Sequence, residues 1–321
     1  MQVDRGTYAE ARTPWDDIEW RAAAFAWVEA HVAALGWQER GPRWVRVRPW
    51  SVIVRFEVGR RLWFKANPPA SRFESGLTEA LAGWAPGHVL TPYAVDATRG
   101  WSLLPDGGSI LRQYPGDERT WEQVVGQYAE FQRTLVPHAD ELVALGVPDA
   151  RLAILPTIFD KTVAANQSLQ PVDRKVLDEL RPRLLDWCEE LAAIGVTDSL
   201  DHADLHDGQI FAPVDGRFTF FDWGDAAVSH PFCSLLVTAR HAAGSYGDDI
   251  IPRLRDAYLE PWTAGGHTLP ELRRAASLAW RLGSIGRAVS WGRLFPDAFD
   301  GPFLDGDQAE WLLKLADQPP I

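Results

Sequence analysis

Residues 43–66 read RWVRVRPWSVIVRFEVGRRLWFKA, a stretch dense in Val, Ile, Trp and Phe that alternates in places with Arg. Such a run favours extended chain, and Gly59 supplies a tight turn, so three antiparallel strands are expected, at 44–48, 52–58 and 62–66. The proline-rich stretch ANPPASRF ends this sheet, ESGLTEALAGWA reads as a helix, and HVLTPYAVD and GWSLLP add two strands around a turn at 98–100. At 105–109 the sequence PDGGS interrupts both neighbouring periodicities and marks a boundary. Beyond it the spacing turns helical, over 118–136, 150–166, 172–194, 230–243, 248–261, 270–290 and 306–317. A helix over 14–35 leads the chain: Thr13 and Pro14 start it, Asp16 and Asp17 face its positive end, and Gly36 stops it. Ile18, Phe25, Val28, Val32 and Leu35 recur along it, which reads as an amphipathic lid or cap helix. The expected architecture is α+β in two lobes: 1–104 with five antiparallel strands, a hinge at 105–112, and a mostly helical lobe over 113–321.

Charge and composition narrow the function. A net charge of -12, with no long Lys/Arg run, opposes binding to a phosphate backbone and argues against nucleic acid as a partner. The same charge would attract a cationic small molecule, and it also serves solubility. No stretch approaches the length of a membrane span, and the start of the chain is polar and acidic where a signal peptide would be basic and apolar. Two cysteines, Cys188 and Cys233, form neither a disulfide framework nor a metal-binding spacing. A cytoplasmic protein is expected.

The chemistry-bearing residues cluster at 200–211, LDHADLHDGQIF, followed by FTFFDWGDA at 218–226. Between them Asp215 and Gly216 form a hairpin turn, which would bring Gln209 and Asp222, thirteen residues apart, toward one another. An amide oxygen and a carboxylate suit Mg²⁺, whose remaining positions go to phosphate and water. Asp204, in the loop before the hairpin, is placed to take a proton from an attacking hydroxyl. A phosphate donor needs a further cation. Lys65 ends the apolar strand RLWFKA, and Glu74 on the next helix is the ion-pair partner that would hold it.

These residues together resemble the aminoglycoside phosphotransferase and choline kinase superfamily, which shares the protein-kinase fold. FK on the third strand, the helix glutamate, LLPDGG, HADLHDGQ and FFDWGD carry the resemblance, over roughly 40–240. It implies a bilobal protein-kinase-like fold and transfer of the γ-phosphoryl group of ATP, or of another nucleoside triphosphate, to a small hydroxylated acceptor, with Mg²⁺. Asp204 then resembles the catalytic aspartate, Asp222 and Gln209 the metal ligands, Lys65 the phosphate-binding lysine and Glu74 its partner. Leu103, Leu104 and Asp106 fall in the hinge that meets adenine, and Ser51 in the loop over the phosphates. His202 resembles the histidine that orients the catalytic loop.

The chain departs from that family in three places. RPWS stands where the phosphate loop carries glycines, Gln209 replaces an asparagine, and HPFCSLL lacks an aspartate, so Cys233 or Ser234 cannot supply its carboxylate. A non-catalytic nucleotide-binding protein is one rival reading. A metal-dependent hydrolase, with zinc on His202, Asp204, His206 and Asp207, is another. His206 and Asp207 also read as polar loop residues. For the acceptor, Trp280, Trp291, Phe295, Phe299 and Trp311 with Asp297, Asp300, Asp305 and Asp307 would suit an amino sugar or quaternary amine, unless the rings are core.

Overall fold

In a computed structural model the described residues are 2–6, 8, 9, 11–114, 116–293 and 305–321. The chain divides into two compact units, the first running to Gly108 and including Asp222–Gly224.

In the first unit, α1 (Ile18–Ala34) precedes β1 (Trp44–Arg48), β2 (Ser51–Glu57) and β3 (Arg61–Ala66), with α2 (Phe73–Trp84) before β4 (Ala94–Asp96) and β5 (Trp101–Pro105). The five strands pair antiparallel in the order β1-β2-β3-β5-β4. Alternation assigns the two faces: Leu62, Phe64 and Ala66 point into a core with Val52, Val54, Phe56, Trp101 and Leu103, which leaves Trp63 and Lys65 on the opposite face. The register sets Lys65 between Ile53 and Ser102.

The leading helix caps the sheet as part of its core. Ala24, Val28 and Val32 are buried against the sheet, and Trp27 packs 5.8 Å from Trp101 and 6.1 Å from Phe64. Aromatic residues on more than one side of the helix blur its periodicity, and Ile18, counted with the apolar stripe, is 78% exposed. Thr13 and Pro14 start a short 3-10 turn held by the Thr13 backbone N–H donating to Asp16 at 2.9 Å; Asp17 caps the α-helix itself by accepting from Glu19 at 2.8 Å.

The second unit holds α3 (Glu118–Leu135), α4 (Ala139–Ala144), α5 (Leu155–Ala165) and α6 (Pro171–Ile194). Then come β6 (Ser199–Asp201), the hairpin β7 (Ile210–Val214) and β8 (Arg217–Phe220), β9 (Ala227–Ser229), α7 (Leu235–Tyr246), α8 (Ile250–Leu259), α9 (Leu269–Arg293) and α10 (Asp305–Leu313). Asp215 and Gly216 have φ of 50° and 77°, as a two-residue hairpin turn with matching twist requires. The pair β6–β9 has no sequence signal, since three residues are too few for a period. The Ala150 N–H donates to the Val228 carbonyl of β9 and the Val228 N–H to the Pro148 carbonyl, each at 2.8 Å, so α5 begins later than the helical spacing indicates. Among the described residues, no helix is long and apolar enough to cross a membrane.

Candidate active site

In the first unit three residues from distant parts of the chain meet. Lys65 Nζ donates to Glu74 Oε1 at 2.6 Å and to Asp222 Oδ1 at 2.5 Å. Glu74 also accepts from Asn67 Nδ2 and from the backbone N–H of Trp223, 3.1 Å away. Burial alone would push the Lys65 ammonium down, but the charges of Asp222 and Glu74 outweigh it and hold it above the ordinary lysine range. Gly224 makes this approach possible, because a Cβ there would lie 3.3 Å from both Asn67 Nδ2 and Glu74 Oε2. Lys65 and Glu74 side chains are 12% and 6% exposed, so the pair is shielded from screening, while the Asp222 side chain is 38% exposed.

The other residues expected around the nucleotide are distributed unequally. Ser51 is not in a turn: it is the buried first residue of β2, paired with Arg48, and Pro49–Trp50 alone make the connection. Leu103 lies inside β5 with its side chain in the core and its carbonyl accepting from the Tyr93 backbone at 2.7 Å. Leu104 pairs with Trp63, and Asp106 accepts from Trp63 Nε1 at 2.9 Å. Trp63 was not singled out by sequence, although it lies two residues before Lys65 on the same face, with Trp44 against it at 5.8 Å.

In the second unit the loop after β6 is built on a buried carboxylate. Asp201 Oδ1 accepts from Ser234 Oγ at 2.6 Å and from the Ala203 backbone at 2.8 Å, and burial pushes its carboxyl up. Ser234, in the HPFCSLL segment, thus donates to the carboxylate on which the loop is built. Gln132 of α3 donates to Leu200 O, Pro231 O and Ser234 Oγ, and Tyr258 of α8 donates to Gln132 Oε1, so two helices brace the loop. His202 is fully buried, with Nε2 2.9 Å from the Phe221 carbonyl, the residue before Asp222. Ser234→Ala leaves a buried carboxylate short of a donor and is expected to lower stability by about 2 kcal/mol in urea unfolding. An unchanged midpoint would remove Ser234 from this network.

Ala203 holds φ of 61°, a left-handed conformation unfavourable for alanine, between His202 and Asp204. Ala203→Gly is expected to stabilise the protein by about 1 kcal/mol by relieving that strain, read as a higher urea midpoint. A lower midpoint would show the methyl contacts to matter more.

Asp204 Oδ2 accepts from Gln209 Nε2 at 3.1 Å, which leaves Gln209 Oε1, buried and with no hydrogen-bond partner among the described residues, as a vacant acceptor. The Phe221 N–H donates to the Gln209 carbonyl at 3.1 Å, fixing the base of the hairpin immediately before Asp222. His206, Asp207 and His241 form a cluster within ligand spacing of one another. However, Arg112 already donates to Asp207 Oδ1 at 3.0 and 2.8 Å, and its guanidinium occupies the cation's role. Burial pushes the His206 imidazole down against the pull of Asp204. Because His202 turns to Phe221, the four residues of the hydrolase reading do not assemble on one ion.

Of the aromatic acceptor residues, Trp280 is buried core with the Arg240 guanidinium 5.7 Å from its ring, and Trp311 has Lys314 at 5.0 Å. Phe295, Asp297, Phe299 and Asp300 lie outside the described residues, as do the side chains of Trp291 and Asp305. Sequence also missed Arg287 of α9, which pairs with Asp204 at 2.7 Å; no spacing links a helix arginine to a loop so far away in the chain.

Residues 48–276 match the model of the phosphotransferase enzyme family. Among curated proteins, none matches this sequence. The fold is similar to that of a type I macrolide 2'-phosphotransferase, with TM-score 0.57 and 16% identity, over 90% of this chain and 96% of that one. A GDP complex of an aminoglycoside 2'-phosphotransferase gives TM-score 0.56 at 16% identity, covering 90% and 96%. An ethanolamine kinase from Plasmodium vivax gives 0.55 at 12%, covering 85% and 80%. With a family match over most of its length and a protein-kinase-like α+β fold shared with these structures, the chain belongs to the phosphotransferase enzyme family.

Proposed function

We propose that this chain transfers the γ-phosphoryl group of ATP, or of another nucleoside triphosphate, to a hydroxyl of a small, amino-bearing acceptor, with Asp204 as the base. One observation carries the reading: Lys65 Nζ is held between Glu74 and Asp222, at 2.6 and 2.5 Å, although Asp222 lies 157 residues further along the chain. A lysine fixed in this way is the cation that the non-transferred phosphates need. The Trp63 ring, on the same sheet face, offers a flat apolar surface to a nucleobase, with Leu104 and Asp106 beside it; Ser51, being buried, would act through its backbone.

Gln209 and Asp222 would hold Mg²⁺. The buried Gln209 Oε1, without a hydrogen-bond partner among the described residues, and the solvent-exposed carboxylate of Asp222 are the hard oxygen donors suited to a cation that takes few protein ligands. Such an ion neutralises phosphate charge. Asp204 accepts the hydroxyl proton, while Gln209 Nε2 and His202, through Phe221, keep the loop in place.

An amine on the acceptor is supported by the net charge of -12 and by the similar structures named for ethanolamine and for kanamycin. The free, buried cysteines accord with a reducing cytoplasm. The test is nucleotide consumption with MgATP and MgGTP over hydroxylated amines and sugars, kanamycin, choline and ethanolamine included. Transfer of phosphate to any of them is the expected result. Nucleotide binding without transfer to any acceptor would favour the non-catalytic reading, against which the retained Asp204 speaks.

A further inference from the structure

Helix α9 passes close to the loop that carries Asp204. At Gly283 a Cβ would sit 3.2 Å from the Cys233 carbonyl, so the glycine allows the approach, and Arg287 follows one turn later. Its Nη2 is 2.7 Å from Asp204 Oδ1 and its Nη1 3.5 Å from Asp225 Oδ2, with the side chain only 11% exposed. A cation so thoroughly withdrawn from water needs anionic partners, and here one of them is the base itself. With Gln209 on Oδ2, both oxygens of Asp204 are engaged.

The consequence follows from the distances of the reaction. A hydroxyl deprotonated by Asp204 lies about 3 Å from a carboxylate oxygen, and that same hydroxyl oxygen bonds to the phosphorus. A guanidinium touching Asp204 therefore borders the phosphoryl oxygens over which the charge of transfer is spread. Its planar fork matches two such oxygens at once.

We propose that Arg287 is a further catalytic residue, which exchanges its bond to Asp204 Oδ1 for the oxygens of the γ-phosphoryl group and thereby uncovers the base as it neutralises the group in transfer. This rests on the phosphotransferase reading above. The acceptor oxygen bonds to the γ-phosphorus, the bond from that phosphorus to the β,γ-bridging oxygen breaks, and its electron pair leaves with the nucleoside diphosphate. The hydroxyl proton goes to Asp204. Arg287 keeps its protons throughout.

Calorimetric titration of the parent, Arg287→Gln and Arg287→Lys with Mg·ADP and with Mg·AMP-PNP, each also in its guanine form, tests this without an acceptor. AMP-PNP carries a γ-phosphoryl group and ADP does not. In the Gln variant the AMP-PNP affinity is expected to fall about tenfold while that for ADP changes by less than about twofold. The Lys variant keeps the charge but not the fork, so it should show a smaller, equally selective loss, and it carries the comparison should the Gln variant not fold. An unchanged ratio of the two affinities would mean that Arg287 only braces Asp204 and Asp225, and would overturn the proposal. A parent that binds neither nucleotide would instead overturn the phosphotransferase reading, and this proposal with it.

Discussion

Lys65→Met is expected to lose about 3 kcal/mol of folding stability and at least about a hundredfold in phosphotransfer. The two losses have different origins. Stability falls because Glu74, 6% exposed, would remain buried beside Asp222 without the ammonium that now lies 2.6 Å away. Removing one member of a buried pair leaves an uncompensated charge, which is worse than removing both. Activity falls because the phosphates lose a fixed cation, whatever the state of the fold. The double variant Lys65→Met with Glu74→Gln separates the two effects: it should recover much of the urea midpoint and none of the turnover. If the double variant were as unstable as the single one, the buried carboxylate would not be the source of the loss. Should Lys65→Met turn over nucleotide at the parental rate, the lysine would have no part in binding phosphate.

Asp204→Asn is expected to reduce phosphotransfer by about 10²–10⁴-fold, the range associated with loss of a positioned general base. The amide preserves the shape of the side chain and can still accept from Gln209, but it cannot take the proton. Arg287 would keep Asp225 as a partner, so the cost in stability should stay near 1 kcal/mol, the scale of one charged hydrogen bond weakened to a neutral one. Nucleotide KM should not rise, since Asp204 is assigned to the acceptor hydroxyl and not to the donor, and a weaker bond to Asp204 leaves Arg287 freer to meet the γ-phosphoryl group. The comparison of initial rates at saturating MgATP, on whichever acceptor the panel identifies, decides the matter. A variant as fast as its parent would end the assignment of Asp204 as the base.

How much of this was readable beforehand differs from residue to residue. Lys65 was legible because strand alternation and a charge at the end of an apolar run are both local features. The hairpin was legible from Asp215–Gly216, whose positive φ values few other residues tolerate. For the leading helix, a lid or cap is as far as the sequence period goes, because it reports an apolar stripe and not what the stripe meets; the packing of Trp27 with Trp101 and Phe64 needs the sheet to be in place. Ser51 falls in the turn between the first two strands when the second is expected to start at 52, whereas the register starts it at Ser51 and gives the whole connection to Pro49 and Trp50.

By itself the sequence determined the elements and their faces: strands up to Pro105, helices beyond, Lys65 on the side of β3 opposite Phe64, and a polar loop leading into a hairpin. Those choices depend on backbone preferences and on side-chain periods that span a few residues. Only the tertiary structure decided which charges meet. Asp222 joins Lys65, Asp201 accepts from Ser234, and Arg287 reaches Asp204 from a helix near the other end of the chain. An ion pair leaves no periodic trace in the sequence, because its energy depends on distance and burial after the chain has folded, and neither quantity is a property of the spacing between its members.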